Sequence, residues 1–367
     1  MAIRIQLRKD AASVWDSADS VLKAGEFGFA WDSADSASFG RLKIGDGSTS
    51  WTNLPYFYSA GDSAGNYASA GGASFSWGGD RSVIAGGDYA GVINVMQYYD
   101  ITSTGNSTDF GDLTTTVSRG DNGTVADGTY GVFAGGNNSS TTINVIQYIT
   151  VANTGNATDF GDLVQAREYG AACGDGTYGL FASGEHLTLS FQNAIEYVTI
   201  ASPSNSTDFG DLSSGSRLAS GCNDATYGLF FNGENVTQID YVTVATPANA
   251  TDFGDPNVNT YAHCCLSDAT YGVKAGGRLQ GTNAAQNAME YVTIQTSGNG
   301  TDFGDLTAAK YHVVGTSNGT TGCINGGISS NFNEIDYFTI ATPSNATDFG
   351  DLYESTYLPM GTSGSPS

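Results

Sequence analysis

Basic residues are scarce in this chain. In 367 residues, 13 Lys and Arg stand against 37 Asp and Glu, a formal net charge of −24. A field of that sign repels nucleic acid and anionic membranes, so no nucleic-acid partner is expected. Cysteine is scarce too. The five (Cys173, Cys222, Cys264, Cys265 and Cys323) are odd in number and include no CxxC. Neither a disulfide framework nor a thiolate zinc site is suggested, and the five are expected to be small buried apolar residues. No run carries the i, i+3, i+4, i+7 apolar stripe of a long helix, none is apolar for 18 residues, and none has the pattern of a secretory leader.

Glycine (50), tyrosine (20) and phenylalanine (18) are plentiful instead. Short runs such as NVIQYITVA and FNEIDYFTI place β-branched and aromatic residues between Gly, Asn and Ser turns. That composition predicts an all-β chain of many short strands.

The chain is also internally repetitive. The core TDFGD begins at Thr108, Thr158, Thr207, Thr251, Thr301 and Thr347, at intervals of 50, 49, 44, 50 and 46 residues. A period of that length with about four strands per unit is the signature of a β-propeller. One unit has an innermost strand within 168–176, a second at 177–184, a variable loop, a third at 193–201, and then TDFGDL at 207–212. Six copies of the second strand, starting at Arg81, imply six blades. The first lacks an innermost strand, and the tail YESTYLPMGTSG matches the missing piece. The C-terminus is therefore expected to complete blade 1 and close the ring, which removes an open sheet edge.

DFG holds magnesium in protein kinases, but the lysine strand and catalytic loop of that site are absent. Six copies point to a turn and a short outer strand, with Phe packed between blades and Gly in a conformation other residues avoid. Calcium is the one ion this motif suggests, through pairs such as Asp109 with Asp112. Two carboxylates are few for an ion that takes six to eight oxygens, so no cofactor is expected. Asn106, Asn156, Asn205, Asn249, Asn299 and Asn345 sit in N-x-T or N-x-S frames and are expected to be turn residues.

The glycine pair ending the second strand, with a tyrosine about a dozen residues on (Tyr148, Tyr197, Tyr241, Tyr291, Tyr337), resembles the kelch repeat over 81–367. The kelch tryptophan is missing, and Phe160, Phe209 and their equivalents are expected to fill its space. Residues 1–57 resemble a different family. IQLRKDAASVW (5–15), VLKAGEFGFAWDS (21–33) and LKIGDGSTSWTNLPYF (42–57) are similar, in order, to an attachment module near the N-terminus of bacteriophage tail fibres and related receptor-binding proteins. Phe29 stands where that family usually has Tyr, and DSADSAS lengthens one turn. The resemblance implies a virion protein assembled in the bacterial host cytoplasm, homotrimeric, and joined by this end to other phage tail or virion proteins. Its apolar residues, among them Leu22 and Trp51, would be better buried in an oligomer. A Gly/Ala/Ser-rich linker (58–80) follows.

Positions alike in every blade build blades, and positions that differ are free for other work. The most variable segment is the loop between second and third strands, with His186, Phe191, Arg278 and Phe332 as candidate contacts. On the same face, Arg119, Arg167, Arg217 and Lys310 occupy nearly one place in successive units, beside Tyr169, Tyr261, His263, Tyr311, His312 and Tyr357. A ring of cations and aromatics at a channel mouth suits an anionic host-surface glycan. The alternative is that each cation clamps blades through a DFGD aspartate, as Arg119 with Asp112. The non-repeated acids Glu168, Glu185, Glu234 and Glu354 look scattered over different blades, and no GxSxG, HExxH or P-loop is present, so no enzyme is expected. The leading expectation is a receptor-binding tail fibre. An architectural decoration or connector protein comes second and a glycan-degrading tailspike third.

Overall fold

The computed structural model describes residues 79–365 apart from 121–122, 187–190, 269 and 329–332, and before residue 79 only 8–11, 21–22, 27–31, 41–44, 48, 50 and 56–58. The chain divides into two compact units, Met1–Ser74 and Phe75–Ser367. In the first, Arg8–Ala11, Phe27–Trp31, Arg41–Ile44 and Tyr56–Tyr58 form one sheet in chain order. Its first pair is parallel and the other two are antiparallel. Leu22 is fully buried within this chain. Most of the expected linker lies outside the described residues.

The second unit is a six-bladed β-propeller of four-stranded antiparallel sheets. Blade 3 shows the plan, with Ala171–Gly174, Tyr178–Ala182, Ala194–Thr199 and Thr207–Asp211 running from axis to rim. The second strand of every blade is buried along nearly its whole length, because neighbouring blades cover both its faces. That is why these strands read as continuous apolar runs rather than alternating ones. Blade 1 is completed from the other end of the chain. Met360–Gly364 pairs with Arg81–Ala85, Met360 opposite Ala85 and Gly364 opposite Arg81. All five cysteines are buried in the propeller.

TDFGD is a clasp between blades. In each copy the phenylalanine is 2–4 % exposed. The strand register skips it, so it is the extra residue of a β-bulge, as between Met96↔Gly111 and Gln97↔Asp109. It meets the third-strand tyrosine edge to face in all six blades, with centroids 5.5–6.0 Å apart. Edge-to-face pairing of this kind adds to the stabilisation from burial alone. The glycine that follows has φ between 140° and 150° in every copy. A Cβ on Gly161 would also lie 2.6 Å from the carbonyl of Ser204, in the turn of the next blade.

That turn supplies the other half of the clasp. Asn205 Oδ1 accepts from Asp162 N at 3.0 Å, and Ser206 N donates to Asp162 O at 2.9 Å. The asparagine bond recurs between every pair of neighbours, closing with Asn106 on Asp351 at 3.1 Å. The asparagines of the N-x-S/T frames are thus turn residues with a specific task. Replacing Asn205 with Ala removes one exposed hydrogen bond, worth about 1 kcal/mol, or roughly 2–4 °C in melting temperature. Gly161→Ala forces a left-handed backbone and a clash at once, and is expected to cost about 2–4 kcal/mol. Equal melting shifts for the two variants by calorimetry would contradict this account.

Candidate functional site

The connectors from outer strands to the next innermost strands share a face with the second-to-third-strand loops, and the two pair by a bridge that repeats around the ring. Glu168 pairs with Glu185, Tyr261 with Arg278, Tyr311 with Ile328 and Tyr357 with Asp88. In blade 4, Glu234 N donates to Arg217 O at 2.8 Å. The residue after each connector position is left-handed: Arg119, Tyr169, Leu218, Ala262, His312 and Leu358, with φ of 56–60°. None is glycine, although an L side chain is strained there. Their amides hand on hydrogen bonds in series, Tyr169 N to Arg119 O (2.7 Å), Leu218 to Tyr169 (2.9 Å), Ala262 to Leu218 (2.9 Å), His312 to Ala262 (2.9 Å) and Leu358 to His312 (3.1 Å). A main-chain collar thus rims the channel while its side chains differ blade by blade.

The four cations expected to be equivalent fall into three registers. From the Thr of the preceding TDFGD, Arg167 and Lys310 lie nine residues on, Arg217 ten and Arg119 eleven. One or two residues decide their fate. Arg167 and Lys310 are 3 % and 0 % exposed and do not reach the mouth. Arg167 Nη2 binds Glu196, and Lys310 Nζ lies 2.9 Å from both Asp336 and Glu334. Arg119 and Arg217 stand at the rim, with side chains 42 % and 30 % exposed.

The buried cations answer a buried acid. The third strand of each blade carries one polar residue that is at most 2 % exposed: Gln97, Gln147, Glu196, Asp240, Glu290 or Asp336. It holds the incoming connector, as Glu196 Oε2 does by accepting from Val164 N at 2.7 Å. Where that residue is Gln, no counter-charge is needed. Glu196, Glu290 and Asp336 have Arg167, Lys274 and Lys310. Asp240 has no cation among the described residues but accepts from Ser213 N and Oγ, Asn232 and Gln238. These acids, not the DFGD aspartates, tie the incoming connectors to the blades, while Lys274 and Glu290 pair within blade 5. Arg119 pairs with Glu168 at 3.5 Å rather than with Asp112.

At the rim the structure gathers Arg119, Tyr169, Arg217, Phe191, Arg278, Tyr311 and His312. Tyr169 and His312 approach across the collar with centroids 6.3 Å apart. The guanidinium carbons of Arg119 and Arg217 lie 5.6 and 6.0 Å from the Tyr169 centroid, and Arg217 also sits 5.1 Å from Phe191. Arg278 lies 4.0 Å from the Tyr311 centroid. Cation–π contact thus already covers ring faces that a sugar would otherwise use. Burial first, then Arg278, Arg119 and Arg217, push the His312 pKa down to about 3, so the imidazole is neutral at ordinary pH. Tyr357 is half-buried, its hydroxyl pKa raised by burial and Asp88 and lowered by Arg119.

Other expected residues lie elsewhere. His263 is 1 % exposed, its Nδ1 3.1 Å from Thr260 O, and burial with the Lys274 charge lowers its pKa. It is a core residue. Tyr261 is 8 % exposed and donates to Asn283 Oδ1 at 2.7 Å. His186 is half-buried in the blade 3 loop, and Phe332 lies outside the described residues. Three acids that looked scattered converge instead: Glu185 and Glu234 each bind Arg217 at 2.6 Å, and Glu168 binds Arg119. Counting from TDFGD and from the glycine pair would have placed them together.

The ends of all six innermost strands line a cavity of about 130 Å³. Its hydroxyls join blades, Ser267 Oγ donating to Asn223 O, Ser317 to Ser267 and Ser363 to Ser317 at 2.7–2.9 Å. They knit the ring and leave little for a ligand. Among the described residues no group of three or more His, Cys, Asp or Glu is placed to hold a metal ion, the DFGD pairs included. No protein-family model matches this chain, and no curated protein is significantly similar to it, so the mouth and the N-terminal motifs are what bear on function.

Proposed function

We propose that the protein is a structural component of a phage tail fibre whose propeller binds an anionic glycan of the host surface at the channel mouth. Residues 1–57 attach it to other virion proteins, as a homotrimer. One observation carries the binding reading. A chain with net charge −24 collects Arg119, Arg217 and Arg278 around a single collar, where they jointly act on His312. Arginine presents a planar fork suited to carboxylate and phosphate. The family resemblance of the first 57 residues supports the virion setting. An architectural propeller without receptor binding is favoured by one fact, that Arg119 and Arg217 already have carboxylate partners. The same pairing weakens the polysaccharide-cleaving reading, because Glu185 and Glu234 are engaged as Arg217's counter-ions.

The test is adsorption. The full chain, added to host cells or to their extracted lipopolysaccharide, is expected to bind and to compete with phage. Arg119→Gln with Arg217→Gln is expected to weaken binding at least tenfold, because Tyr169 and Phe191 lose the guanidinium groups that fix them at the mouth. Melting should fall only a few degrees, because the half-exposed Arg217 pairs contribute under about 1 kcal/mol each and the buried Glu168 keeps its bond from Asn137 Nδ2 at 2.7 Å. A wild-type chain that neither binds nor competes leaves the architectural reading.

A further inference from the structure

The described cations of the propeller can be sorted by what holds them. Arg167, Lys274 and Lys310 are buried on carboxylates. Arg119 and Arg217 have carboxylates at the rim. Arg81 donates to the carbonyls of Val151 and Ala152 at 3.0 and 2.8 Å. Arg278 differs from all of them. Its Nη2 donates to Tyr311 Oη at 2.7 Å, Tyr261 supplies a second phenol oxygen, and no carboxylate lies within ion-pair distance among the described residues. Its Nε is buried without an acceptor, so an incoming anion meets the Nη end.

Arg278 is also held still. Its strand pairs with the connector, Thr260 opposite Leu279 and Tyr261 opposite Arg278. The hairpin it opens is closed by Leu279 N to Ala284 O at 2.9 Å, and Gln280 Nε2 ties it to Gly233 O of blade 4 at 2.9 Å. Tyr311 backs the guanidinium from one side. A cation that is fixed, partly exposed and without a carboxylate partner among the described residues is preorganised for an anion from solution.

We propose that Arg278 is the anion-recognition residue of the mouth, and that it takes an oxyanion carried by one sugar residue, a carboxylate or a phosphate substituent. Arg119 and Arg217, tied to their glutamates, position Tyr169 and Phe191 instead. This assignment rests on the reading of the mouth as a glycan site.

The test uses the full chain with D-glucuronate, glucose 1-phosphate and D-glucose as probes, followed by calorimetry or NMR. One of the two anions is expected to bind with a Kd on the order of 1–10 mM, the range for a ligand of a dozen heavy atoms. Glucose should bind at least tenfold more weakly, and which anion wins identifies the substituent. Arg278→Gln should bring the anion down to the level of glucose. Arg278→Lys should keep only part of the preference, because it retains charge without the fork, and Arg81→Gln, at the end of its strand away from the mouth, should keep all of it. A preference that survives both Arg278 variants, or no preference in the wild type, overturns the proposal. Host lipopolysaccharide binding, measured alongside, separates the two claims. If wild type and Arg278→Gln bind it equally, the Arg278 assignment fails and the glycan reading stands. If anion preference depends on Arg278 but lipopolysaccharide is ignored, the receptor reading fails and the anion subsite stands.

Discussion

A chain ending at Leu352 is expected not to fold. It lacks Met360–Gly364, the innermost strand of blade 1, and so exposes the ladder edge of Arg81–Ala85. It also loses Met360, 1 % exposed and packed with Val83, Ala85 and Val117. Links to both neighbours go with it: Ser363 Oγ to Ser317 O at 2.7 Å in blade 6, and Ser365 N to Gly128 O at 2.7 Å in blade 2. Five or so hydrogen bonds at about 1 kcal/mol each and a buried Met at about 2–3 kcal/mol sum to roughly 7 kcal/mol. Total stabilities are only about 5–15 kcal/mol. Loss of cooperative melting in circular dichroism and aggregation on size exclusion are the expected results, partly reversed by a peptide spanning 353–367. Cooperative melting within a few degrees of the full chain would show that the ring does not depend on this strand.

Lys310→Met is expected to be the most damaging single change to a charged residue. It leaves Asp336, 0 % exposed, without its cation, and an orphaned buried charge costs about 3–5 kcal/mol. The deficit should depend on pH. Burial raises the Asp336 pKa, while Lys310 and the Thr307 hydroxyl pull it down. Without Lys310 the folded-state pKa rises further. The native state then keeps a proton that the unfolded chain releases near its ordinary value of about 3.9, so stability falls as pH rises from there through the raised pKa. The penalty is complete above that window and shrinks as pH drops toward 4. Melting of wild type and variant between pH 4 and 8 measures the gap. A Lys310→Met/Asp336→Asn double variant should recover much of it. A gap that is constant with pH, and no recovery in the double variant, would mean Asp336 carries no charge problem.

Lys310 and Arg119 also show where reading letters stops being enough. Both looked like members of one ring because each stands about ten residues after the threonine that opens TDFGD. The chain enters the collar through a bridge followed by a left-handed residue, so a shift of two positions turns a side chain from the blade interior to the rim. That reversal needs backbone conformation, which the residue types do not announce. Five residue types at six positions, from Arg119 to Leu358, occupy the same left-handed site. The acids differ. Glu185 and Glu234 each follow the second-strand glycine in adjacent blades, an offset the letters do carry, and the packing of blade 3 on blade 4 brings both onto Arg217.

What the sequence determined by itself was periodic. Apolar second strands, a tyrosine and a phenylalanine per unit, Gly and Asn at fixed offsets and a tail matching the missing strand were enough for six blades and their closure, because the same local physics is written six times. Which non-repeated residues meet depends instead on how the blades close into a ring. Contacts across the collar join residues more than a hundred positions apart, such as Tyr169 and His312. No local propensity encodes such a meeting, since it exists only once the ring has closed.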